Sequence, residues 1–279
     1  MVKFKIDHLT VGDSCPPIVI AEIGINHNGK LDNAIEIVDS AIRAGAMIIK
    51  HQTHIAEEEM SIEAKKIKPG NSLKNIYRII KENSLTEDEE LKLFKYIRSK
   101  KKIVISTPFS KKAVDRLVKF KVPAFKIGSG EANNYHFISY VCRFKKPIIL
   151  STGMNSVESI NKSVQIIRKH KIPYALLHCT NLYPTPHHLV RLDCISELKK
   201  KYPDSVVGFS DHTVSINSCL ASVALGAKII EKHYIDSKNI RKGPDVACSM
   251  DSFDLKKLII GSQEIYLSKI NKEKKKCFK

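Results

Sequence analysis

Eight short hydrophobic segments recur along the chain, and polar or glycine residues end each of them. They are rich in Val, Ile, Leu and Ala, as buried parallel strands are. The stretches between them carry apolar residues at helical spacing. The predicted strands are PIVIAEIG (17–24), AMIIKHQT (46–53), KIVISTPF (102–109), PAFKIGSG (123–130), KPIILSTG (146–153), PYALLHCT (173–180), VVGFSDHT (206–213) and AKIIEKHY (227–234).

This alternation of strand and helix predicts an α/β fold of the (β/α)8 TIM-barrel class. A doubly wound open sheet is the alternative, and it would gather ligand groups at one switch point of the strand order. Polar residues end all eight predicted strands here, as the mouth of a barrel requires. The connection from residue 54 to residue 101 is the longest, and we expect an additional helix within it.

Two of the predicted helices begin with a capping-box pattern, in which a polar residue is followed three positions later by Glu. Thr86 and Glu89 form one such pair, and Asn155 and Glu158 form the other. Both pairs precede apolar residues at helical spacing, so they predict where these two helices start.

The net charge of +18 arises from 47 basic and 29 acidic residues. Lysine clusters at 100–102 and 199–201 follow predicted helices, where a solvated surface is the expected role. Nucleic-acid binding is the alternative, but aromatic residues make up only 7% of the chain and Trp is absent, which leaves little for base stacking. We expect no nucleic-acid partner and a positive field that attracts an anionic substrate.

No apolar run approaches the length of a membrane span, and the N-terminal residues lack the hydrophobic segment of a signal peptide. We therefore expect a cytoplasmic protein without a membrane partner. The seven cysteines are scattered and form no CxxC pair, so neither a disulfide framework nor a structural zinc site is expected. Cys179 is interpreted as a packing residue.

The polar strand ends converge on one site if the fold is a barrel. Ser210 and His212 share one face of a predicted strand, as do Glu231 and His233 of the next. Neighbouring strands lie about 4.8 Å apart, so the two imidazoles could bind one divalent metal ion. The alternative is a pair of structural histidines, each satisfied within its own loop.

Two lysines, Lys50 and Lys126, come from strands two apart, and hydroxyl side chains and a GSG turn lie near them. Ammonium groups, hydroxyls and the backbone N–H groups of such a turn suit a phosphate or a carboxylate. The alternative for each lysine is an ion pair with a neighbouring carboxylate, with Glu22 the obvious partner of Lys50. Glu22 and Glu131 are also candidate acid–base groups.

Between residues 17 and 251 the chain resembles the sialic acid synthase family. KHQTH is most similar to the bacterial N-acetylneuraminate synthases. The matching stretches, in the order of the family, are IAEIGINHNG, KHQTHIAEEEMS, KPGN, ISTPFS, FKIGSGEANNY, ILSTGMNS, LLHCTNLYPTP, GFSDHT, and EKHY with GPDVACSMD.

The resemblance implies roles for individual side chains, carried over position by position. Glu22 would be catalytic, and His212 and His233 would bind the metal. The phosphoenolpyruvate-binding set would be Lys50, Thr107, Lys126, Ser129, Ser151, Asn181 and Ser210. The sugar-binding set would be Gln52, Asn71, Phe109, Glu131, Tyr183 and Asp245.

The resemblance implies that the chain condenses phosphoenolpyruvate with N-acetylmannosamine and releases phosphate by C–O cleavage. It also implies a divalent metal, usually Mn²⁺ with Mg²⁺ or Co²⁺ as alternatives, which would polarise the aldehyde of the open-chain sugar. Glu22 would manage a proton at the reacting oxygen, and a homodimer is the expected assembly. Two alternatives stay open: a synthase for a legionaminic or pseudaminic type of acid, and a barrel that binds phosphoenolpyruvate with little turnover.

The expected domain organisation is one TIM-barrel synthase domain at residues 1–268 and a basic tail at residues 269–279. The family's C-terminal antifreeze-like domain is expected to be absent.

Overall fold

A closed barrel of parallel strands forms the centre of the protein, whose computed structural model describes residues 1–68 and 74–270. A two-stranded antiparallel hairpin, β1 (Lys3–Ile6) and β2 (Leu9–Gly12), precedes it. The barrel strands are β3 (Ile18–Gly24), β4 (Ile48–Thr53), β5 (Ile103–Pro108), β6 (Phe125–Ile127), β7 (Ile148–Ser151), β8 (Tyr174–Cys179), β9 (Val206–Asp211) and β10 (Ile229–His233).

The predicted (β/α)8 barrel is confirmed, and all eight predicted strands are present within their predicted spans. The barrel closes because β10 pairs in parallel with β3, from Ile229 opposite Ile18 to His233 opposite Glu22. This closure excludes the open doubly wound sheet, which would leave two edge strands. It also places β10, with His233, beside β3, with Glu22.

Helices surround the barrel and cover its outer face. They are α1 (Leu31–Arg43), α2 (Ala56–Glu59), α3 (Ile76–Asn83), α4 (Glu87–Ser99), α5 (Lys111–Lys119), α6 (Tyr135–Cys142), α7 (Val157–Lys169), α8 (Cys194–Lys201), α9 (Asn217–Ala224) and α10 (Ser252–Lys269). The long connection between β4 and β5 carries α2 and α3 in addition to α4, so the expected additional helix is present. Among the described residues, no helix is both long enough and apolar enough to cross a membrane.

The two predicted capping boxes have different outcomes. Thr86 caps α4 as predicted, since its side chain accepts from the backbone N–H of Glu89 and Glu89 accepts from the backbone N–H of Thr86. The prediction for α7 was wrong, because Ser156 is the N-cap and accepts from the N–H of Ser159. Asn155 instead donates to the carbonyl oxygen of Ser129 at 2.8 Å, and thereby joins the loops that follow β6 and β7.

Alternation along the strands divides the barrel interior into an apolar floor and a polar mouth. On β4, Ile48 lies in the floor, Ile49 faces the helices, and Lys50 points into the interior at the mouth. On β10, Ile229 and Glu231 follow the same rule. Each strand therefore contributes to the core at one end and to a candidate site at the other.

The hairpin packs against the floor, and sequence analysis did not predict it. Phe4, Ile6 and Val11 are buried in one cluster with floor residues such as Ile20 and Ile149. Apolar side chains of the hairpin thus close the end of the barrel opposite the mouth.

Four lysines adopt left-handed backbone conformations near helix ends, and they are Lys101, Lys121, Lys145 and Lys171, with φ between 53° and 57°. Lys101 directly follows the C-cap of α4 and donates its N–H to the carbonyl oxygen of Arg98, while the next N–H, of Lys102, reaches the carbonyl oxygen of Ile97. Glycine usually occupies this place in a helix-ending motif. Part of the lysine content therefore stands at helix ends, as the charge pattern indicated.

Candidate active site

A polar cavity of about 150 Å³ opens at the C-terminal ends of the barrel strands. It is lined by Glu22, Lys50, Gln52, Thr107, Phe109, Lys126, Gly128, Ser129, Gly130, Ser151, Cys179, Asn181, Tyr183, Ser210, His212, Glu231 and His233. All seven side chains predicted to bind phosphoenolpyruvate lie here, together with Glu22 and both predicted metal ligands. The structure thus brings together residues from all eight strands and the loops that follow them.

Lys50 contacts the Glu22 carboxylate directly, deep in the cavity. Its ammonium group also donates to Thr107 Oγ1 at 3.0 Å and lies 3.9 Å from Glu231 Oε1. Burial disfavours the charge on Lys50, but the two carboxylates more than compensate and raise its pKa. The ion pair with Glu22, which was the alternative for Lys50, is therefore present in the ligand-free chain.

Lys126 lies near the Glu231 carboxylate, as Lys50 does. Its Nζ donates to Ser151 Oγ at 2.7 Å and lies 3.6 Å from Glu231 Oε1. Burial lowers the pKa of Lys126, whereas the two lysines lower the pKa of Glu231 although burial opposes its charge. Oε1 of Glu231 thus lies within 4 Å of both ammonium groups that were predicted to bind an anion.

The Glu22 carboxyl group differs from Glu231 in its protonation. Burial raises the pKa of Glu22 to about 7, and the repulsion from Glu231 adds to this effect, while Lys50 opposes both. A carboxyl group with a pKa near neutrality can both accept and release a proton under working conditions. Of the two carboxyl groups, Glu22 is the one suited to proton transfer.

Small side chains and backbone N–H groups form the side of the cavity near Ser129. The N–H of Gly153 donates to Ser129 Oγ at 3.0 Å. A Cβ atom at position 153 would lie 2.1 Å from Asn181 Oδ1 and 2.9 Å from Ser129 Oγ, so only glycine fits between them. Hydroxyls, an amide and two lysines on one wall match the requirements of a phosphate or carboxylate group.

The two predicted metal-binding histidines also line the cavity, with ring centroids 5.5 Å apart. Nδ1 of His212 donates to the carbonyl oxygen of Thr180 at 2.9 Å, which leaves its Nε2 with a lone pair. His233 Nδ1 is buried without a hydrogen-bond partner, and it lies 3.7 Å from Asp245 Oδ2. Burial lowers the pKa of both imidazoles, so they are neutral at pH 7, which is the form that binds metals.

These observations fit a divalent metal ion bound by His212 and His233. Nε2 of His212 keeps a free lone pair because the proton of the ring is on Nδ1, which donates to Thr180. Many metal-binding histidines are held in this way. Within residues 1–68 and 74–270, no group of three or more His, Cys, Asp or Glu side chains is arranged as a metal cluster. The protein thus offers two imidazoles, with Asp245 nearby and with space in the cavity for further ligands.

A buried ion pair behind the cavity supports both histidines. Lys232 donates to Asp211 Oδ2 and to the carbonyl oxygen of Thr213, each at 2.6 Å. Asp211 also accepts from the N–H and the hydroxyl of Thr213 at 3.1 and 2.9 Å. This network fixes the turn after β9, in which His212 lies.

The predicted sugar-binding residues are only partly gathered in this cavity. Gln52, Phe109 and Tyr183 line it, and the Tyr183 ring stacks on His212 with centroids 4.0 Å apart. Glu131 lies in an adjoining cavity of about 390 Å³, which shares Phe109 with the first. Burial raises the pKa of Glu131.

One further predicted sugar-binding residue lies outside the cavity lining. Asp245 is at the edge, beside His233, and burial raises its pKa to about 6. Asn71 lies outside the described residues.

Sequence analysis assigned no part in the site to three features that the structure places there. Glu231 was given no role, although it lies two positions before His233 and therefore faces the interior as His233 does. Cys179 was interpreted as packing, yet its thiol lines the cavity and donates to Asn181 Oδ1 at 3.2 Å. Burial raises the pKa of Cys179 to about 11, so it remains a thiol.

The third feature is Gly24, at the end of β3. With φ at +48°, it adopts a left-handed conformation that favours glycine. A Cβ here would lie 3.2 Å from Glu22 Oε1 and 3.4 Å from both Asp245 Oδ2 and Gln52 Nε2. A side chain at this position would therefore press on three candidate site residues at once.

Comparison with known proteins places this site in context. The chain is 39% identical to an uncharacterized protein of Methanocaldococcus jannaschii, over 93% of this chain and 74% of that protein. It is 34% identical to the N,N′-diacetyllegionaminic acid synthase of Campylobacter jejuni, over 89% and 76% of the two chains.

Among solved structures, the N-acetylneuraminic acid synthetase of Leptospira borgpetersenii, in complex with citrate, superposes with a TM-score of 0.89. The two chains are 30% identical, and the match covers 98% of this chain and 92% of that one. Residues 37–274 match the family model described as the NeuB family. Together with the barrel and its polar mouth, these matches show that the chain belongs to the NeuB family.

Proposed function

We propose that the protein condenses phosphoenolpyruvate with N-acetylmannosamine to form N-acetylneuraminate and inorganic phosphate, with a divalent metal held by His212 and His233. One observation carries the proposal: two buried lysines and two neutral imidazoles line a single cavity. The lysine wall suits the anionic groups of phosphoenolpyruvate, and the imidazoles suit a metal. When bound, the metal would act as a Lewis acid toward the sugar aldehyde.

Lys50 and Lys126 would bind the phosphate and carboxylate groups of phosphoenolpyruvate. The hydroxyls of Thr107, Ser129 and Ser151 would complete this set, since two of them already accept hydrogen bonds from the lysines. Phosphoenolpyruvate brings several negative charges to a cavity that already contains Glu22 and Glu231. The two ammonium groups would offset the repulsion between the ligand's charges and these carboxylates, so the proposal requires both lysines.

The bond changes follow from the reactants. C3 of phosphoenolpyruvate attacks the aldehyde carbon of the open-chain sugar, and the enol electron pair forms the new C–C bond. C2 gains cationic character, a water molecule adds there, and the resulting tetrahedral centre expels phosphate by cleavage of its C–O bond. One water is consumed, and the product is a 2-keto acid.

Glu22 would exchange the proton that this sequence requires at the former aldehyde oxygen. Its pKa of about 7 allows it to deliver the proton and to regain it in the next step. Because Lys50 contacts Glu22 directly, anion binding at Lys50 and proton transfer at Glu22 are coupled. Fixing both reactants beside these groups supplies part of the rate acceleration by itself.

The test is an assay of phosphate release by the purified chain with phosphoenolpyruvate, N-acetylmannosamine and Mn²⁺, with the product identified by mass. We expect N-acetylneuraminate and an equal amount of phosphate. A folded, phosphoenolpyruvate-binding chain without any product would support the alternative of a binding barrel with little turnover.

A second candidate is a synthase for a related nonulosonic acid. The 34% identity to a legionaminic acid synthase, against 30% to the superposed sialic acid synthetase, favours its inclusion. The same assay with the diacetamido-trideoxyhexose precursors of legionaminic and pseudaminic acids separates the candidates. The precursor with the highest kcat/KM identifies the substrate.

We propose that the protein acts in the cytoplasm, as expected from the sequence, and that it works as a homodimer. Activity that co-purifies with a species of twice the chain mass would support the dimer.

A further inference from the structure

A buried histidine outside the cavity lining, His54, contacts two of the residues that line it. Its Nε2 lies 3.1 Å from Gln52 Oε1, and its ring stacks on Phe109 with centroids 4.2 Å apart and planes 10° apart. The His54 side chain is only 5% exposed, so these contacts are made away from solvent. His54 thus lies directly behind the part of the mouth where sugar binding is proposed.

A carboxylate holds the opposite edge of the same ring. Nδ1 of His54 lies 3.0 and 3.1 Å from the two oxygens of Glu59, whose side chain is also 5% exposed. The Glu59 carboxylate and the Gln52 amide oxygen only accept hydrogen bonds, so Nδ1 and Nε2 are both donors in these contacts and the ring orientation is fixed. Glu59 ends the short helix α2, which belongs to the long connection between β4 and β5.

With the ring held in this way, its Nε2 edge determines how the Gln52 amide is turned. The amide oxygen faces the ring, and the amide nitrogen faces the side of the cavity where Gly24 and Asp245 lie. An amide nitrogen in that position is a hydrogen-bond donor for a hydroxyl or carbonyl oxygen of a ligand. Without the contact to His54, the amide would be free to rotate and offer either end.

We propose that His54 is a positioning residue for the sugar substrate, which orients the Gln52 amide and supports the Phe109 ring while Glu59 holds it in place. This inference rests on the proposed function, because it assigns the sugar to the Gln52 side of the cavity. His54 itself does not touch the substrate. Its effect should therefore pass through Gln52 and should spare the phosphoenolpyruvate wall.

Steady-state kinetics test the catalytic part of this inference. His54→Phe keeps an aromatic ring against Phe109 but cannot hydrogen-bond to Gln52 or Glu59. We expect the KM for the sugar to rise about 10-fold, with the KM for phosphoenolpyruvate changed by less than about 2-fold. In a Gln52→Ala background, the same substitution should add less than about 2-fold, since its target is gone.

A second measurement does not depend on turnover. The chain contains three glutamines, Gln52, Gln165 and Gln263, and the last two are exposed. Selective ¹⁵N labelling of glutamine side chains gives three NH₂ pairs, and the pair lost in Gln52→Ala belongs to Gln52. We expect His54→Phe and Glu59→Leu to shift this pair alone, whereas His8→Phe at the far end of the barrel leaves all three unchanged.

The outcomes separate the two claims. If the shift occurs but no hexosamine gives product, the orientation of Gln52 by His54 stands and the proposed function fails. Equal rises in both KM values, or a full additional loss in the Gln52→Ala background, would overturn the positioning role. An unchanged Gln52 signal in folded His54→Phe and Glu59→Leu proteins would overturn it as well.

Discussion

Lys232 donates a 2.6 Å hydrogen bond to Asp211, and each residue is the immediate chain neighbour of one of the two cavity histidines. Both side chains are fully buried on the outer side of the barrel wall. Replacement of Lys232 by Met would leave the Asp211 carboxylate buried without its cation. We expect the free energy of unfolding to fall by about 3–5 kcal/mol, measured by urea denaturation.

Two further variants make this prediction specific. Asp211→Leu combined with Lys232→Met removes both charges and should recover part of the loss. Arg168→Met breaks the half-exposed pair with Asp204 and should cost less than about 1 kcal/mol. A loss for Lys232→Met no greater than that for Arg168→Met would contradict the importance of burial.

The two cavity histidines should be separable from the stability of the barrel. His212→Ala and His233→Ala should each abolish metal-dependent phosphate release, because the proposed site has only two imidazoles. Mn²⁺ binding, followed by electron paramagnetic resonance, should weaken at least about 100-fold in each variant. Far-ultraviolet circular dichroism should remain that of the parent protein. Full activity in either variant would refute the metal assignment.

Lys126→Ala should act on one substrate more than on the other. Its ammonium group faces Ser151 and Glu231, on the wall assigned to phosphoenolpyruvate. We expect the KM for phosphoenolpyruvate to rise about 10-fold or more, since a charge-assisted contact is lost, with a much smaller change for the sugar. Equal effects on both constants would count against this assignment.

The raised pKa of Glu22 predicts how stability depends on pH in the metal-free protein. The folded state holds the Glu22 proton up to a pH of about 7, whereas the unfolded chain releases it near its ordinary value of 4.5. The stabilisation from this proton is present at low pH and is lost as the pH rises through 7.

Glu22→Gln removes this titration. Between pH 5 and pH 8, the parent protein should lose about 2–3 kcal/mol more stability than the variant does. Chemical denaturation in the presence of a chelator, at several pH values, measures the difference. Parallel curves for the two proteins would show that the pKa of Glu22 is not raised.

The left-handed lysines predict a stabilising substitution. Lys101 follows α4 with φ at 57°, a conformation that costs non-glycine residues about 1 kcal/mol. Lys101→Gly should therefore raise the free energy of unfolding by up to about 1 kcal/mol. Lys95→Gly, at an exposed position within α4, is the matched control and should lower it by about 1 kcal/mol. A loss in both variants would indicate that the Lys101 side chain contributes more than its backbone conformation costs.

The sequence was sufficient to predict the barrel because each strand carries its own signal. Ile48 and Lys50 lie two positions apart on β4, so their placement at floor and mouth follows from strand geometry alone. The same rule placed His233 at the mouth, and it also applied to Glu231. The role of Glu231, however, depends on its distances to two lysines of other strands. Such distances cannot be read from the neighbouring residues in the sequence.

Other features escaped prediction for a related reason. The hairpin of β1 and β2 is short, and only its packing against the floor shows its purpose. The cap of α7 was assigned one residue too early because both Asn155 and Ser156 are good N-cap residues, and the contact of Asn155 with Ser129 decides between them. The contacts of His54 with Gln52 and Glu59 likewise join residues whose chemistry gives no sign of partnership in the sequence.

The hairpin that closes the barrel floor gives the molecule two functionally distinct ends. Its turn, at Asp7 and His8, is exposed and lies at the end opposite the mouth. Attachment of the protein to a solid support through a residue of this turn would hold it floor-down. The mouth would then face the solution, and small substrates could enter and leave it as they do with the free protein.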